Sequence, residues 1–415
     1  MSSVKPFRAI RPKPELAAKV ASLPYDVMNR AEAARMAGGN PYSFLHIGRS
    51  EIDLPDETDV YARRVYEKAR ENFERFLAEG VLYREDEPYF YLYQQKMGDR
   101  IQTGLVATVS VDEYLNNDIK KHELTRKTKE LDRINNFDVV DAHTEPVFLT
   151  YRGHDEIARK MKAYRETHEP DIEFVSEDDI GHVVWTIRDR ELTTEIEDLF
   201  DRVPALYIAD GHHRSASSAH VGVKRREQYP DAPADAEFNR FMAVIFPHTD
   251  LWIYDYNRVV SSLNGLTEDA FLEGVSASFE LARHPGDEPF RPTAKGEIGM
   301  YLNGIWYRLK AKEHLSLGKG LADRLDVSLL QDHVLAPLLG IGDPRTDERI
   351  DFVGGIRGLE ALQQRVDKDG GVAFAMYPPS MEDLMTIADE GLIMPPKSTW
   401  FEPKLRSGLF VHPLS

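Results

Sequence analysis

The chain has 415 residues, 42 % hydrophobic and 29 % charged, a composition far from those of disordered, collagen-like or membrane-spanning chains. At roughly 150 residues per domain it predicts two or three domains. Its 70 acidic against 52 basic residues give a net charge of -18, which repels nucleic acid and anionic membrane surfaces, so any anionic ligand must be caught by a local site. Cysteine is absent, which excludes disulfides, thiolate nucleophiles, iron–sulfur clusters and cysteine-ligated zinc, and leaves oxygen and nitrogen chemistry.

MSSVKPFRAIRPKPELAAKV alternates basic and apolar residues without the apolar core of a signal peptide, and no stretch has the length of a membrane span. The expectation is a cytoplasmic protein. From Phe7 to Asn40 the chain is punctuated by RPKP, LPYD and GGNPYSF, with room for one short helix at 31–37. Between Asp59 and Gly80, apolar residues at Tyr61, Val65, Tyr66, Ala69, Phe73, Phe76 and Leu77 recur at helical steps and predict an amphipathic helix stopped by Gly80. Residues 89–95 and 101–109 predict a hairpin turning around Gly98-Asp99. Residues 120–142 are charged, either a solvated helix or part of a polar site, and lead into the apolar run 146–151.

Strands are expected at 183–187 and 205–208, the latter ending at Asp210, with helices at 193–199 and from Ser215 onward. FMAVIFP at 241–247 and LWIYDYNRVV at 251–260 look like a strand pair, followed by a helix at 268–279 and a Pro-rich loop at 285–292. The last third predicts strands at 298–302, 305–310 and 371–376, helices near 328–338, 358–367 and 381–391, and a turn-rich end. Strands and helices in no strict βαβ rhythm indicate an α+β, mixed α/β fold.

ALYIADGHHRSASSAHVGV carries the most chemistry, because a short apolar strand runs into Asp-Gly and a helix begins within a few residues. Gly211 lets the backbone approach a phosphate, the first helical N–H groups point at it, and Arg214 adds a charged contact, with His212, His213 and Ser215 alongside. Asp210 repels phosphate and is better suited to binding Mg²⁺, taking a substrate proton or orienting a histidine. An ordinary Asp-Gly turn with two exposed histidines is the competing interpretation. In KKHELTRKTKELDR, Arg126 stands where HExxH requires histidine, so zinc-protease chemistry fails. Glu123 can instead serve as base beside His122, with Lys127, Lys129 or Arg133 neutralising phosphate, or Glu123 and Lys127 can form an i, i+4 surface pair. In LPYDV, Asp26 can meet a substrate ammonium or simply close a turn. In MPPKSTWFEPK, Lys397, Ser398, Thr399 and Lys404 can form a basic clamp, although the glycines of a P-loop are missing.

DGHHR between strand and helix resembles the phosphate-binding motif of the ParB/sulfiredoxin superfamily, which includes ParB-type CTP-binding proteins, sulfiredoxin and an archaeal ADP-dependent free-serine kinase. The whole chain resembles a bacterial and archaeal family known as a domain of unknown function, through FRAIRP and PYDV, HELT with a following DR, DGHHR and MPPKST. Sulfiredoxin chemistry is excluded because it needs cysteine, and DNA partitioning fits poorly with the net charge of -18 and no helix-turn-helix. The resemblance implies a ParB/sulfiredoxin-like catalytic region over 1–240, with an additional α/β region over 241–415 whose end returns to the site. It implies a kinase with Mg²⁺ and ADP or ATP as donor, acting on the hydroxyl of a small metabolite, free L-serine above others. Glu123 and Asp210 would be catalytic, with Asp210 also the metal ligand. Residues 211–215 and 397–399 would hold the nucleotide phosphates, while Asp26 and His122 would hold the acceptor. A phosphatase acting on phosphoserine and a ParB-like nucleotide switch closing a homodimer are the alternatives.

Overall fold

The computed structural model describes residues 2–286, 288–315, 317 and 320–415. The chain divides into two compact units. The first contains the chain up to Lys121, Thr125–Leu251 and Pro403–Ser415, and the second contains His122–Leu124 and Trp252–Glu402. Residue 240, where the sequence suggests a division, begins a strand of the first unit, and the closing thirteen-odd residues of the chain belong to that unit as well.

The first unit is built on a nine-stranded mixed sheet. Its strands are β1 (Val4–Lys5), β2 (Phe90–Met97), β3 (Arg100–Ser110), β4 (Ile119–Lys120), β5 (Val147–Tyr151), β6 (Ile172–Val175), β7 (Ile180–Ile187), β8 (Leu206–Asp210) and β9 (Arg240–Pro247). They lie in the order β4-β8-β5-β9-β3-β2-β7-β6, with β1 paired to the end of β3. β8 runs parallel to β4, and β9 parallel to β5; the other pairs are antiparallel. The expected hairpin is β2–β3, turning through Gly98, whose φ of 58° suits glycine. Period-two alternation sends Phe90, Leu92, Leu105, Ala107, Ala243 and Ile245 to one face. There they meet Ile157 and Met161 of α3 (Asp155–Thr167) and Ile196 and Leu199 of α4 (Arg190–Phe200).

The opposite face shows Tyr91 and Tyr93, and the C-terminal segment lies across it. Phe410 packs on both rings, at 5.2 and 6.1 Å between centroids, and Gln95 Nε2 donates to the Lys404 carbonyl at 2.9 Å. α1 (Arg63–Ala78) buries Val65, Tyr66, Ala69, Phe73 and Phe76 as its periodicity predicts, but begins after Tyr61, which stays exposed. The charged stretch after position 120 becomes α2 (Lys127–Val140), which buries Asp132, Arg133 and Asn136 beside Phe137 and Val140 and so belongs to a polar interior. It lies along α5 (His212–Gln228), where Ser217 Oγ donates to the Glu130 carbonyl at 2.9 Å.

The second unit holds a six-stranded antiparallel sheet. Its strands are β10 (Tyr256–Val260), β11 (Phe279–Arg283), β12 (Glu297–Leu302), β13 (Ile305–Ala311), β14 (Ile350–Gly354) and β15 (Val372–Ala375), ordered β11-β13-β12-β15-β10-β14. Val260, Val372 and Phe374 face Phe271 and Val275 of α6 (Glu268–Ser278), while Val259, Ala373 and Ala375 face Leu362 and Val366 of α7 (Glu360–Asp369). The expected strand pair at 241–247 and 251–260 does not form. β9 instead pairs with β3 and β5, a 3-10 turn at His248–Asp250 follows it, and β10 joins the second sheet. In the loop at 285–292, position 287 lies outside the described residues. Among the described residues no helix is long and apolar enough to cross a membrane.

Candidate active site

β8 is a buried strand whose last residue, Asp210, keeps 30 % of its side chain exposed. Gly211 follows at φ 92° and ψ 35°, a left-handed conformation that costs an L-residue energy, and serves as N-cap of α5. The helix therefore starts at His212 rather than at Ser215. Ser215 resembles an N-cap in the sequence, but its N–H bonds the Gly211 carbonyl at 2.9 Å and its Oγ bonds the same oxygen at 3.1 Å. The N–H groups of His212, His213 and Arg214 precede this first intrahelical bond, at the positive end of a 17-residue helix dipole.

Arg214 is buried and folds back over Gly211. Its Nη1 donates to the Pro146 carbonyl at 2.5 Å, and Nη2 lies 3.8 Å from Asp210 Oδ2. A Cβ at position 211 would sit 2.9 Å from Arg214 Nε, so glycine is needed for space as well as for conformation. Lys404, from the returning C-terminal segment, places its ammonium 3.1 Å from Asp210 Oδ2, while Gly211 N–H donates to Oδ1 at 2.8 Å. Burial alone would raise the Asp210 carboxyl, but the charges of Lys404 and Arg214 with these hydrogen bonds hold it well below the usual carboxylate range. Oδ1 accepts the Gly211 N–H and Oδ2 faces the Lys404 ammonium, so a Mg²⁺ ion at Asp210 would compete with Lys404 for Oδ2.

His212 is buried, whereas His213 is half-buried and its Nε2 accepts the Arg126 N–H at 2.9 Å, which puts the neutral-ring proton on Nδ1. A polar layer lies behind the motif. Arg133 is held by Asp132 through Nε and Nη2 at 3.1 and 3.0 Å, and its guanidinium stacks 3.9 Å from the centroid of the Tyr25 ring. Glu145 is buried, with Oε1 accepting the Tyr25 N–H at 3.3 Å. Its carboxyl is raised by burial against the opposing pull of Arg133 and Arg214. Asp26 is exposed, and its charge is the foremost electrostatic influence raising Arg214. Glu145 and Tyr25 are contributors the sequence did not single out; the DAHTEP and LPYDV strings contain them, without a spacing that marks either.

The remaining candidates belong to the second unit. His122 and Glu123 lie in a non-helical segment held by the Met394 N–H to the His122 carbonyl at 2.8 Å. Because α2 starts at Lys127, Glu123 has no helical i, i+4 relation to it. Glu123 borders a cavity of about 390 Å³ with Arg258, Arg345, Phe352, Pro395 and Pro396. Burial pushes the Arg258 guanidinium down to about 10. Its Nη2 donates to the carbonyl of Lys397, a residue at φ 60°, at 3.0 Å. Lys397 Nζ sits 5.5 Å from the Tyr256 ring centroid, and the buried Ser398 Oγ donates to the Pro395 carbonyl at 2.6 Å. Thr399 is half-buried in the same segment. Of the expected basic clamp, Lys404 is the residue that meets DGHHR within the first unit.

Residues 4–328 match the family described as Protein of unknown function (DUF1015). The chain belongs to this family. No curated protein matches this DUF1015 chain in sequence. Among solved structures it is similar to a free serine kinase in complex with AMP, at 14 % identity and a TM-score of 0.36, covering 74 % of this chain and 91 % of that one. It is similar to a conserved hypothetical protein from Pyrococcus furiosus at 14 % identity and a TM-score of 0.36, covering 73 % and 95 %. A third likeness is to SbnI with C-terminal truncation from Staphylococcus aureus, at 13 % identity and a TM-score of 0.40, covering 74 % and 87 %.

Proposed function

We propose that this chain transfers a phosphoryl group from a nucleotide, ADP or ATP, to the hydroxyl of a small polar metabolite, with free L-serine the acceptor to which the DGHHR resemblance points. The observation that carries this reading is the junction of β8 and α5. A left-handed glycine directly after a strand opens a long helix, and the first N–H groups of such a helix stand at its positive end, the chemistry of an anion site. Lys404 and Arg214 more than neutralise Asp210, so the loop does not repel a phosphate by its own carboxylate.

In this scheme the backbone N–H groups of 212–214 hold the donor phosphates, and His213 faces the same end of the helix. Arg214, tied to the Pro146 carbonyl and Asp210, shapes the loop, and Ser215 braces it through Gly211. Asp210 and Glu123 are the catalytic carboxylates, Glu123 being assigned as base by the role that the resemblance implies. Asp26 offers its exposed charge to an acceptor ammonium, with His122 the second acceptor residue. Lys397, Ser398 and Thr399 complete the set of phosphate-binding candidates, the Lys397 carbonyl being held by Arg258 and the Ser398 Oγ by the Pro395 carbonyl. Asp210 would hold Mg²⁺, which would supply charge neutralisation for the nucleotide phosphates. Asp210→Asn and Glu123→Gln are each expected to abolish turnover with an unchanged circular dichroism spectrum. Near-normal turnover in both variants would overturn the assignment.

A further inference from the structure

Four charged groups, Glu123, Arg258, Asp343 and Arg345, border the 390 Å³ cavity of the second unit, beside apolar wall residues that include Leu335 and Phe352. They are not equivalent. Arg345 is compensated: its Nε and Nη2 each donate to Asp343 at 2.9 Å, and the Glu123 charge acts on it as well. Arg258 is not. It is only 3 % exposed, and its partners among the described residues are neutral carbonyls. Nη1 donates to the Tyr256 carbonyl, and Nη2 to those of Lys397 and Pro396 at 3.0 and 3.5 Å, while the guanidinium carbon lies 5.5 Å from the Phe352 ring centroid. Its Nε has no acceptor among the described residues, and it is not one of the nitrogens closed off from solvent, as Arg11 Nε and Arg165 Nε are. Arg258 thus borders the cavity with that N–H unclaimed.

A guanidinium taken out of water and met by carbonyls alone forgoes its hydration without gaining a counter-charge, so an anion brought beside it recovers free energy. The depressed pKa of Arg258, caused by burial, reports the same deficit, whereas Arg345 is raised by its carboxylates. The uncompensated charge is single, because Asp343 answers Arg345. It therefore matches a carboxylate monoanion better than a phosphate dianion, and the planar fork of Arg suits two carboxylate oxygens. An amine finds only cation and carbonyl dipoles at Arg258, where its charge is opposed. The volume is more than twice the roughly 150 Å³ that admits benzene, room for a three-carbon acid whose hydroxyl reaches toward Glu123.

We propose that this cavity binds a small hydroxy carboxylate, its carboxylate on Arg258 and its hydroxyl toward Glu123. The hydroxyl's part as phosphoryl acceptor rests on the proposed function; the demand for a carboxylate does not. Ligand-observed saturation-transfer NMR on the full chain compares L-serine and glycerate with serinamide and glyceramide, which keep the hydroxyls and lose the carboxylate. At least one acid is expected to bind at least fivefold more tightly than its amide. Arg258→Gln is expected to weaken that acid at least fivefold, and more than Arg345→Gln does. A smaller preference for both acids in wild type, or no binding of either at millimolar concentration, overturns the proposal without reference to any variant's folding. So does a smaller loss in a folded Arg258→Gln. Adding Mg²⁺ with ADP or ATP separates the two readings. Acids that bind through Arg258 but are not phosphorylated uphold the site and defeat phosphoryl transfer, whereas serinamide phosphorylated as readily as serine defeats the site and leaves the transfer standing.

Discussion

Gly211→Ala probes the β8–α5 junction at its least forgiving point. At φ 92° an alanine carries the left-handed penalty of about 1–2 kcal/mol. Its Cβ would also stand 2.9 Å from Arg214 Nε, within a guanidinium that is buried and tied to the Pro146 carbonyl. Moving that side chain weakens its contact with Asp210 and adds roughly another 1 kcal/mol, the scale of a hydrogen bond. The expected total is about 2–3 kcal/mol. Urea denaturation followed by far-ultraviolet circular dichroism measures it, with hydrogen exchange across 206–228 to localise the loss. Because the loop also aims the first N–H groups of α5, ADP affinity by calorimetry is expected to fall at least tenfold. A variant that loses under about 0.5 kcal/mol and binds ADP as wild type does would refute the argument that Gly211 is required by conformation and space.

Lys404→Ala removes a cation from Asp210 and is expected to weaken ADP binding by about tenfold or more, with a carbon-13 shift of the Asp210 carboxyl reporting its pKa rising; an unmoved carboxyl signal would count against the pairing. For Asp326, the folded carboxyl titrates near 7 against an ordinary 3.8, a shift equivalent to on the order of 4 kcal/mol. The sign follows from the raised value: the stabilising contribution is complete below pH 3.8 and is lost as pH rises through 7. Asp326→Asn is therefore expected to gain stability relative to wild type at pH 8 and to lose that advantage below pH 4, as thermal denaturation at the two pH values would reveal. Ile245→Ala in the centre of β9, where the side chain is fully buried, is expected to cost about 3 kcal/mol in urea denaturation, and a loss below about 1 kcal/mol would place Ile245 outside the core.

The local grammar of the chain is visible in its residues. The β2–β3 hairpin follows from alternating aromatic and β-branched residues about Gly98, and the body of α1 follows from an unbroken apolar stripe. The strand-to-helix junction at DGHHR is equally legible, yet its start shifts by three residues, because Ser215 has the chemistry of a cap while Gly211 has the conformation of one. Pairing is less local. The apolar run at 241–247 signals a strand, but nothing in it announces β3 and β5 as its neighbours across 129 and 88 intervening residues. The same holds for the polar layer. Lys404 is readable as a cation near the chain end and Asp132-Arg133 as a charged pair, but their meetings with Asp210 and Tyr25 are products of tertiary packing. Glu145 carries no mark of burial in DAHTEP, since a carboxylate becomes an interior group only through the guanidinium ions that the fold brings to it.

Phosphoryl transfer at the β8–α5 junction is the proposed activity. Phosphorus-31 NMR tests it most directly, on purified protein with Mg²⁺, L-serine and, in separate tubes, ADP, ATP, CTP or pyrophosphate, with phosphoserine alone as control and Asp210→Asn in parallel. The account predicts a phosphoserine resonance that grows only when serine and ADP or ATP are both present and that is absent with Asp210→Asn. A panel in which no donor yields a phosphorylated acceptor, or in which phosphoserine alone releases phosphate, would contradict it.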